Sequence, residues 1–142
     1  MFKGNSQATV DAKGRLKIPA AFLADLAKAG KEFYVTSIVG DRAYIYPMKA
    51  WNELEEKLGR LPSQHPAKQK FLTRTSYYGQ VVTLDKQGRL LIPQVLRETA
   101  QIRGEVDVMG SQTYLEVWNH VRLLESMQNN PIAPDDLTML GI

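Results

Sequence analysis

A ten-residue segment occurs twice in the chain, and this duplication limits the possible folds more than any other feature of the sequence. Residues 10–19 and 84–93 lie 74 positions apart and share Asp, Gly, Arg, Leu, Ile and Pro at the same places. The residues that follow repeat one pattern: an amphipathic stretch that ends at Gly30 or Gly104, two β-rich segments around a polar turn, and a closing helical stretch. A unit of this size is too small to bury its own apolar face comfortably. We therefore expect the two copies to pack on each other.

Each copy is predicted to contain a strand, a tight turn, a strand, a short helix, a hairpin and a helix, which makes the fold mainly β with short helices (α+β). The hairpin turns are predicted at residues 40–42 and 110–112. The closing helices are built around Trp51, Leu54 and Leu58 in the first copy and around Trp118, Val121 and Leu124 or Met127 in the second. Residues 59–66 are the predicted connector and residues 67–76 a further basic helix. Residues 129–142 are expected to form a loosely held tail or an arm that docks on a neighbour.

The composition restricts the chemistry that the chain can perform. The 142 residues include no Cys, which excludes disulfides, thiolate nucleophiles and cysteine-bound zinc. His65 and His120 lie 55 positions apart and neither has the spacing of a metal-ligand motif. No dinucleotide fingerprint, phosphate-binding loop or nucleophile elbow is present, and the acidic cluster at residues 53–56 is typical of a solvated helix face. We therefore expect no catalytic residues, no metal, no cofactor and no small-molecule substrate.

The apolar residues are distributed as in a globular protein. No apolar stretch approaches the roughly 20 residues that span a bilayer, and the N-terminus is polar. We therefore expect no membrane partner and a cytoplasmic location.

Positive charge is concentrated in the first part of the chain. Residues 1–102 carry 16 basic and 9 acidic side chains, a balance of +7, whereas residues 103–142 carry 2 and 6, a balance of −4. Phosphate neutralisation with release of counterions supplies much of the affinity of proteins for nucleic acid. The charge distribution favours a polyanionic partner, and the alternative is a solvated basic face of the kind that many proteins have.

The repeated Asp-x-x-Gly-Arg pattern predicts a turn with an arginine fixed beside it. The pattern falls on Asp11, Gly14 and Arg15 in the first copy and on Asp85, Gly88 and Arg89 in the second. Alternating residues on both sides predict two strands joined by a turn in which the glycine has a positive φ. The aspartate lies across such a turn and can hydrogen-bond the loop amides or hold the guanidinium. A guanidinium held in this way suits phosphate or guanine edges; the alternative is an ion pair that only closes the hairpin.

Together with residues 1–4, and with residues 44–47 followed by Trp51, the two segments resemble the MraZ family of bacterial transcriptional regulators, which have two domains of the SpoVT/AbrB type. The resemblance covers about residues 1–125. It implies a duplicated, swapped-hairpin, AbrB-like barrel in which the two repeats form one pseudo-symmetric unit. The implied organisation is a first SpoVT/AbrB-type domain at 5–52, a connecting helical segment at 53–78, a second domain at 79–122 and a C-terminal tail at 123–142.

The resemblance also implies a function. A protein of this family would assemble into a ring-shaped homo-oligomer and bind double-stranded DNA at direct repeats upstream of the division and cell-wall gene cluster that includes its own gene, usually as a nucleoid-associated repressor. The family's Asp-x-x-x-Arg motif falls on Asp11 and Arg15 and again on Asp85 and Arg89, with Gly14 and Gly88 as turn residues. Arg15 is the preferred contact to base edges or phosphate. The further expected DNA-binding residues are Lys3, Lys13, Lys17 and Arg89.

Alternatives to this function come from the remaining features. An antitoxin-like AbrB-type module that binds a protein toxin is the main one. The acidic tail at residues 129–142 favours it, and the short length of this tail argues against it. RNA binding would require base-stacking aromatics interleaved with the basic turn, which are absent. The candidates for contacts between subunits or between repeats, with ordinary core as the alternative, are Phe2, Phe71, Leu72, Tyr77 and Tyr78.

Overall fold

The computed structural model describes residues 1–142 as eight strands and six helices. The strands are β1 (Asn5–Val10), β2 (Arg15–Lys17), β3 (Glu32–Thr36), β4 (Ala43–Pro47), β5 (Gln80–Thr83), β6 (Arg89–Leu91), β7 (Gly104–Ser111) and β8 (Tyr114–Asn119). The helices are α1 (Ala20–Ala29), α2 (Met48–Gly59), α3 (Pro66–Tyr77), α4 (Gln94–Thr99), α5 (His120–Asn129) and α6 (Pro134–Met139). No helix combines the length and the apolar composition needed to cross a lipid bilayer.

The two copies exchange strands within one antiparallel sheet. The strand order is β5-β3-β4-β8-β7-β1-β2-β6, and the two edge strands, β5 and β6, are neighbours in space, so the sheet is a nearly closed barrel. Strand β1 of the first copy pairs with β7 of the second, and β5 of the second copy pairs with β3 of the first. Each copy completes the sheet of the other, which confirms the α+β fold class and the duplicated barrel.

An approximate two-fold axis passes between Leu16 and Leu90. These leucines occupy the same place in the repeat and lie directly opposite each other in the β2–β6 pair. The backbone N–H of the isoleucine after each strand donates to the carbonyl of the turn glycine in the other copy. The two bonds are Ile18 to Gly88, 2.9 Å, and Ile92 to Gly14, 2.8 Å. The pairing of β2 with β6 is therefore the junction at which the copies are related.

The core fills the barrel with apolar side chains from both copies. The largest fully buried side chains are Leu16, Ile18, Leu26, Phe33, Val35, Ile45, Leu90, Ile92, Leu96, Ile102, Val106 and Leu115. Helix α1 contributes Phe22 and Leu26, and α4 contributes Leu96. Burial of one such side chain contributes about 1.5–3 kcal/mol, so the interior of the barrel is the main source of its stability.

Two boundaries in the second copy differ from the predicted ones. Helix α4 ends at Thr99 rather than just before Gly104, because Gln101 has a positive φ of 55° that no helix continues through, and Gly104 already begins β7. The hairpin turn lies at residues 112–113 rather than 110–112, since β7 continues to Ser111.

The closing helix of the second copy also begins later than predicted. Trp118 lies in β8 rather than in the helix, and Leu123 is the buried residue of α5. The predicted connector and basic helix agree with the loop between α2 and α3 and with α3 itself. Residues 129–142 are all exposed. The domain bounds of 5–52 and 79–122 stay a proposal.

Asp107 is a buried carboxylate that connects three elements. Its Oδ1 accepts a hydrogen bond from Asn5 Nδ2 at 3.1 Å, and its Oδ2 lies 2.6 Å from His120 Nδ1. These contacts join β7 to β1 and to the first residue of α5. The hydrogen bond and the negative charge of Asp107 raise the pKa of His120 above its usual value near 6.5.

We expect protonated His120 to stabilise the fold at low pH. Because its folded-state pKa is raised, this stabilisation is fully present below about pH 6.5 and is lost as the pH rises through the folded-state pKa. An NMR titration of the imidazole should give a pKa above 6.5, and Asp107→Asn should lower it. In denaturant unfolding, the free energy of unfolding of wild type should exceed that of His120→Gln, and the difference should be larger at pH 5.5 than at pH 9. A stability difference that grows with pH would contradict the assignment.

Candidate nucleic-acid interface

The first Asp-x-x-Gly-Arg segment forms a turn that its aspartate holds together. Asp11 Oδ1 accepts hydrogen bonds from the backbone N–H groups of Lys13 at 3.0 Å and Arg15 at 2.9 Å. Its other oxygen, Oδ2, accepts from Arg15 Nε at 2.8 Å. Gly14 has a φ of +85°, as the sequence predicted. One carboxylate thus binds both the loop amides and the guanidinium, which the sequence had offered as two possibilities.

The second segment repeats this geometry. Asp85 Oδ1 accepts from the backbone N–H groups of Gln87 and Arg89, both at 2.9 Å, and its Oδ2 accepts from Arg89 Nε at 2.9 Å. Gly88 has a φ of +74°. The two turns are therefore equivalent in structure as well as in sequence.

Both aspartates are charged at neutral pH. The backbone N–H of Arg15 is the largest cause that lowers the pKa of Asp11, and the guanidinium of Arg15 lowers it further against the opposing effect of desolvation. Arg89 lowers the pKa of Asp85 in the same way. Because folding lowers the pKa of each carboxylate, its charged form stabilises the fold at pH values above the unfolded-state pKa near 3.8. This stabilisation is lost only as the pH falls through the folded-state pKa.

Each motif arginine keeps most of its hydrogen-bonding capacity unused. Within the chain, Arg15 and Arg89 donate from their side chains only through Nε, so the two Nη groups are left for another acceptor. The side chains are 35% and 24% exposed. A half-exposed ion pair contributes only about 0–1 kcal/mol to stability, so its main effect is to fix the direction of the guanidinium.

The outer face of the β2–β6 ribbon brings the basic residues together. The opposed pairs are Arg15 with Leu91, Leu16 with Leu90, and Lys17 with Arg89. Because side chains alternate along a strand, the buried central leucines leave the other four side chains on the outer face. Lys17 Nζ donates to the backbone carbonyl of Gln87 in the second turn at 3.1 Å. This ribbon face therefore presents two fixed guanidinium groups and one ammonium.

Four of the five predicted DNA-binding residues meet at the ribbon, and the fifth does not. Lys13 and Arg15 belong to the first turn, whereas Lys17 lies beside Arg89 at the second turn. Lys3 lies before β1 and next to the β7–β8 hairpin, so the six residues of β1, about 20 Å of extended chain, separate it from the first turn. The phosphate contact expected of Lys3 is therefore not one at the ribbon.

Sequence reasoning missed Arg97 on α4. Its Nε donates to the carbonyl of Ile92 at 3.1 Å, and its guanidinium lies against Gly14, in the space that a Cβ on that glycine would occupy. Alignment of the two copies could have revealed it, because the position that corresponds to Arg97 in the first copy is the apolar Leu23.

Arg97 also changes the balance of charge between the turns. The first ten-residue segment has three basic residues and the second has two, but in space each turn has three cations. They are Lys13, Arg15 and Arg97 at the first turn and Lys17, Lys86 and Arg89 at the second.

Comparison with known proteins shows the family of the chain. The model of the family described as "MraZ protein, putative antitoxin-like" matches residues 1–74 and 79–131. The chain belongs to the MraZ family. It is 49% identical over 137 residues to a protein of Acidobacterium capsulatum, with 96% of this chain and 94% of that protein covered, and 46% identical over 147 residues to one of Koribacter versatilis, with both chains covered completely. Both of these MraZ proteins are named transcriptional regulators, and the resemblance stated from the sequence is confirmed.

We expect alanine at either turn glycine to destabilise the fold by about 1 kcal/mol or more, because both residues have a φ that side chains disfavour. Alanine at Gly14 also displaces the flexible end of Arg97, whereas at Gly88 it meets Leu23 at 3.1 Å. Urea unfolding of Gly14→Ala and Gly88→Ala measures the loss. Gly59→Ala is the matched control, since Gly59 ends helix α2 with open space around it and its φ lies outside the left-handed region. An equal loss in the control would contradict the strain argument.

Proposed function

We propose that the chain is a sequence-specific, DNA-binding transcriptional regulator and not an enzyme. One observation supports this above all: two arginines on one ribbon face, each held at Nε by an aspartate and each with its Nη groups unused. The major groove of B-DNA, about 12 Å wide, admits a two-stranded β-ribbon, and a guanidinium fork pairs with the O6 and N7 atoms of guanine. The names of the relatives point to the same class of function.

The residues of the two turns have different roles in this proposal. Arg15, with Arg89 as its counterpart, contacts base edges or phosphate, while Lys13 and Lys17 neutralise phosphates. The aspartates and glycines of the motif maintain the turn. An Asp–Arg pair of this exposure adds little to stability, whereas one bidentate base contact discriminates by about 1–3 kcal/mol, so positioning the arginine is the larger benefit of the motif.

We propose direct repeats upstream of the chain's own gene as the target, with repression as the outcome. A ribbon of three residues per strand makes few contacts, so several linked copies on tandem repeats gain affinity through effective concentration. In this proposal the protein acts in the cytoplasm, where it binds the nucleoid, and it needs no cofactor.

The surface of α5 supports self-association. Its residues Val121, Leu124 and Met127 are 61%, 49% and 55% exposed. Helix α2 is the counterpart of α5, because the buried residue is the fourth residue of each helix, Trp51 in α2 and Leu123 in α5. At the corresponding positions α2 has polar, exposed residues, namely Lys49, Asn52 and Glu55. An apolar stripe on only one of two equivalent helices indicates a contact outside the chain, and we assign it to a second copy.

We expect Arg15→Ala to lose preference for the target sequence, because it removes a fixed guanidinium from the ribbon. Fluorescence anisotropy on duplex from upstream of the gene, beside a scrambled duplex, should show at least about tenfold discrimination by wild type, as one base contact supplies. Wild-type affinity should fall steeply with salt. Arg60→Ala is the matched control, since it removes the same charge at an exposed position after α2.

Two outcomes would contradict the assignment. Full sequence preference in folded Arg15→Ala would exclude this residue as the reader. Equal binding of both duplexes by wild type would remove the DNA-binding proposal and favour the antitoxin-like module, whose toxin partner should then co-purify.

We expect the triple variant Val121→Lys, Leu124→Asn, Met127→Glu to dissociate the oligomer, because it places the polar residues of α2 on α5. Light scattering after gel filtration should show a multiple of 16.0 kDa for wild type and a smaller mass for the variant. The advantage of a two-repeat duplex over a one-repeat duplex should shrink with it. Alanine at Lys49, Asn52 and Glu55 is the control, and an unchanged mass of the triple variant would reject this interface.

A further inference from the structure

The near-symmetry of the β2–β6 ribbon raises the question of how the chain recognises direction on DNA. A half-turn about the axis between Leu16 and Leu90 exchanges the two turns, and a half-turn about a dyad of the duplex exchanges its two backbones. Contacts to phosphates carry no sequence information. Equal contacts at both ends would let the ribbon bind the DNA in either of two orientations. Direct repeats, however, all have the same orientation along the DNA. A residue that differs between the copies and reaches the bases must therefore set the direction.

Most of the chemistry at the two turns is matched and cannot provide direction. The aspartate oxygens lie 2.8 Å from Arg15 Nε and 2.9 Å from Arg89 Nε. Each turn also has one exposed lysine, although the two lie one position apart in the repeat, since Lys13 corresponds to Gln87 and Lys86 to Ala12. An ammonium is a flexible point charge suited to phosphate, and phosphates are present at both ends of the site.

Two further differences concern the cations beside the turns, and they are chemically unequal. Beside the second turn, Lys17 Nζ is bound to the carbonyl of Gln87, where the opposite end of the ribbon has Leu91. Like the other lysines, it is a phosphate contact. Beside the first turn lies the guanidinium of Arg97, where the second turn has the apolar side chain of Leu23 against Gly88.

Of these differing cations, Arg97 is the one with the geometry of a base reader. Its Nε bond to the Ile92 carbonyl fixes the guanidinium, as the aspartates fix the motif arginines. The Ile92 N–H donates to the carbonyl of Gly14 at 2.8 Å, so Arg97 and the first turn are hydrogen-bonded to the same residue. Its Nη groups have no partner within the chain and remain available as a fork for guanine.

We propose that Arg97 sets the direction in which the chain lies on its DNA site, by contacting a guanine edge in the half-site next to the first turn. This assignment rests on the DNA-binding function proposed above. Arg97 then acts as a specificity-determining residue outside the repeated motif, and the two nearly equal turns become distinguishable to a directional repeat.

Affinity cleavage tests this assignment, and the absence of Cys makes it direct. Ala24 and Glu98 are exposed, occupy equivalent places in the repeat, and follow Leu23 and Arg97. A single cysteine at either position, Ala24→Cys or Glu98→Cys, is coupled to an iron–EDTA chelate and bound to a duplex with one repeat from upstream of the gene. With Arg97 intact, each conjugate should cut one flank, by about tenfold over the other, as expected for one charged hydrogen-bonded contact. The two conjugates should cut opposite flanks.

Exchange of the two residues gives the decisive result. Arg97→Leu should bring the ratio of cleavage at the two flanks close to one. The double variant Leu23→Arg, Arg97→Leu moves the guanidinium to the second turn, so each conjugate should cut the flank that it left intact before. Cleavage of the same single flank by the wild-type and Arg97→Leu conjugates would overturn the assignment.

The controls separate the failure of this assignment from that of the proposed function. If wild type binds a scrambled duplex as tightly as the repeat, both the proposed function and the role of Arg97 are overturned. If wild type binds the repeat specifically but the conjugates cut both flanks equally, only the role of Arg97 is overturned. Circular dichroism melting verifies that each variant is folded. Leu23 packs against the core, so the exchange variant could unfold. In that case Gly14→Ala serves as a second probe, because it displaces the guanidinium while Arg97 is still present. It should lower the ratio of cleavage at the two flanks, and an unchanged ratio would count against the assignment.

Discussion

The pairing of Leu16 with Leu90 across the β2–β6 ribbon is the constraint on which the rest of the structure depends. Because side chains alternate along a strand, a slip of one residue would expose both leucines and bury the arginines beside them. Exposing one leucine costs about 2 kcal/mol, and burying an unpaired guanidinium costs several more. The burial of two apolar side chains therefore also fixes the register that directs the cations outward.

Exchange of strands between the copies explains why the chain contains the unit twice. The first strand of each copy has its main partner in the other copy, β1 with β7 and β5 with β3. A single copy would leave these strands and its apolar face unpaired, which small units tolerate poorly. With both copies in one chain the barrel is nearly closed, and the two turns are placed on either side of one axis.

Local features of the candidate site were predictable from the sequence, and features that depend on pairing between the copies were not. The Asp-x-x-Gly-Arg turn involves residues at most four apart, so its positive-φ glycine and its aspartate contacts followed from the pattern. The position of Lys17 beside the second turn depends on the β2–β6 register, which no local pattern specifies. Arg97 contacts a turn that lies 83 positions earlier in the chain. The end of α4 at Thr99 was missed because Gln101, not a glycine, adopts the positive φ.

The two copies share the central leucines of the ribbon and the Asp–Arg turns, and the outward positions at which they differ are the informative ones. Dense packing restricts interior positions such as Leu16 and Leu90, whereas no packing within the chain requires Arg97 in place of leucine or Val121 in place of lysine. The two kinds of difference have opposite chemistry. A guanidinium beside the ribbon suits a polyanion and would repel a second copy of itself, while an apolar stripe on α5 suits another protein surface and offers nothing to a phosphate. Since α5 packs on β7 and β8 and the ribbon consists of β2 and β6, the proposed contacts with nucleic acid and with a second copy lie on separate surfaces of one duplicated fold.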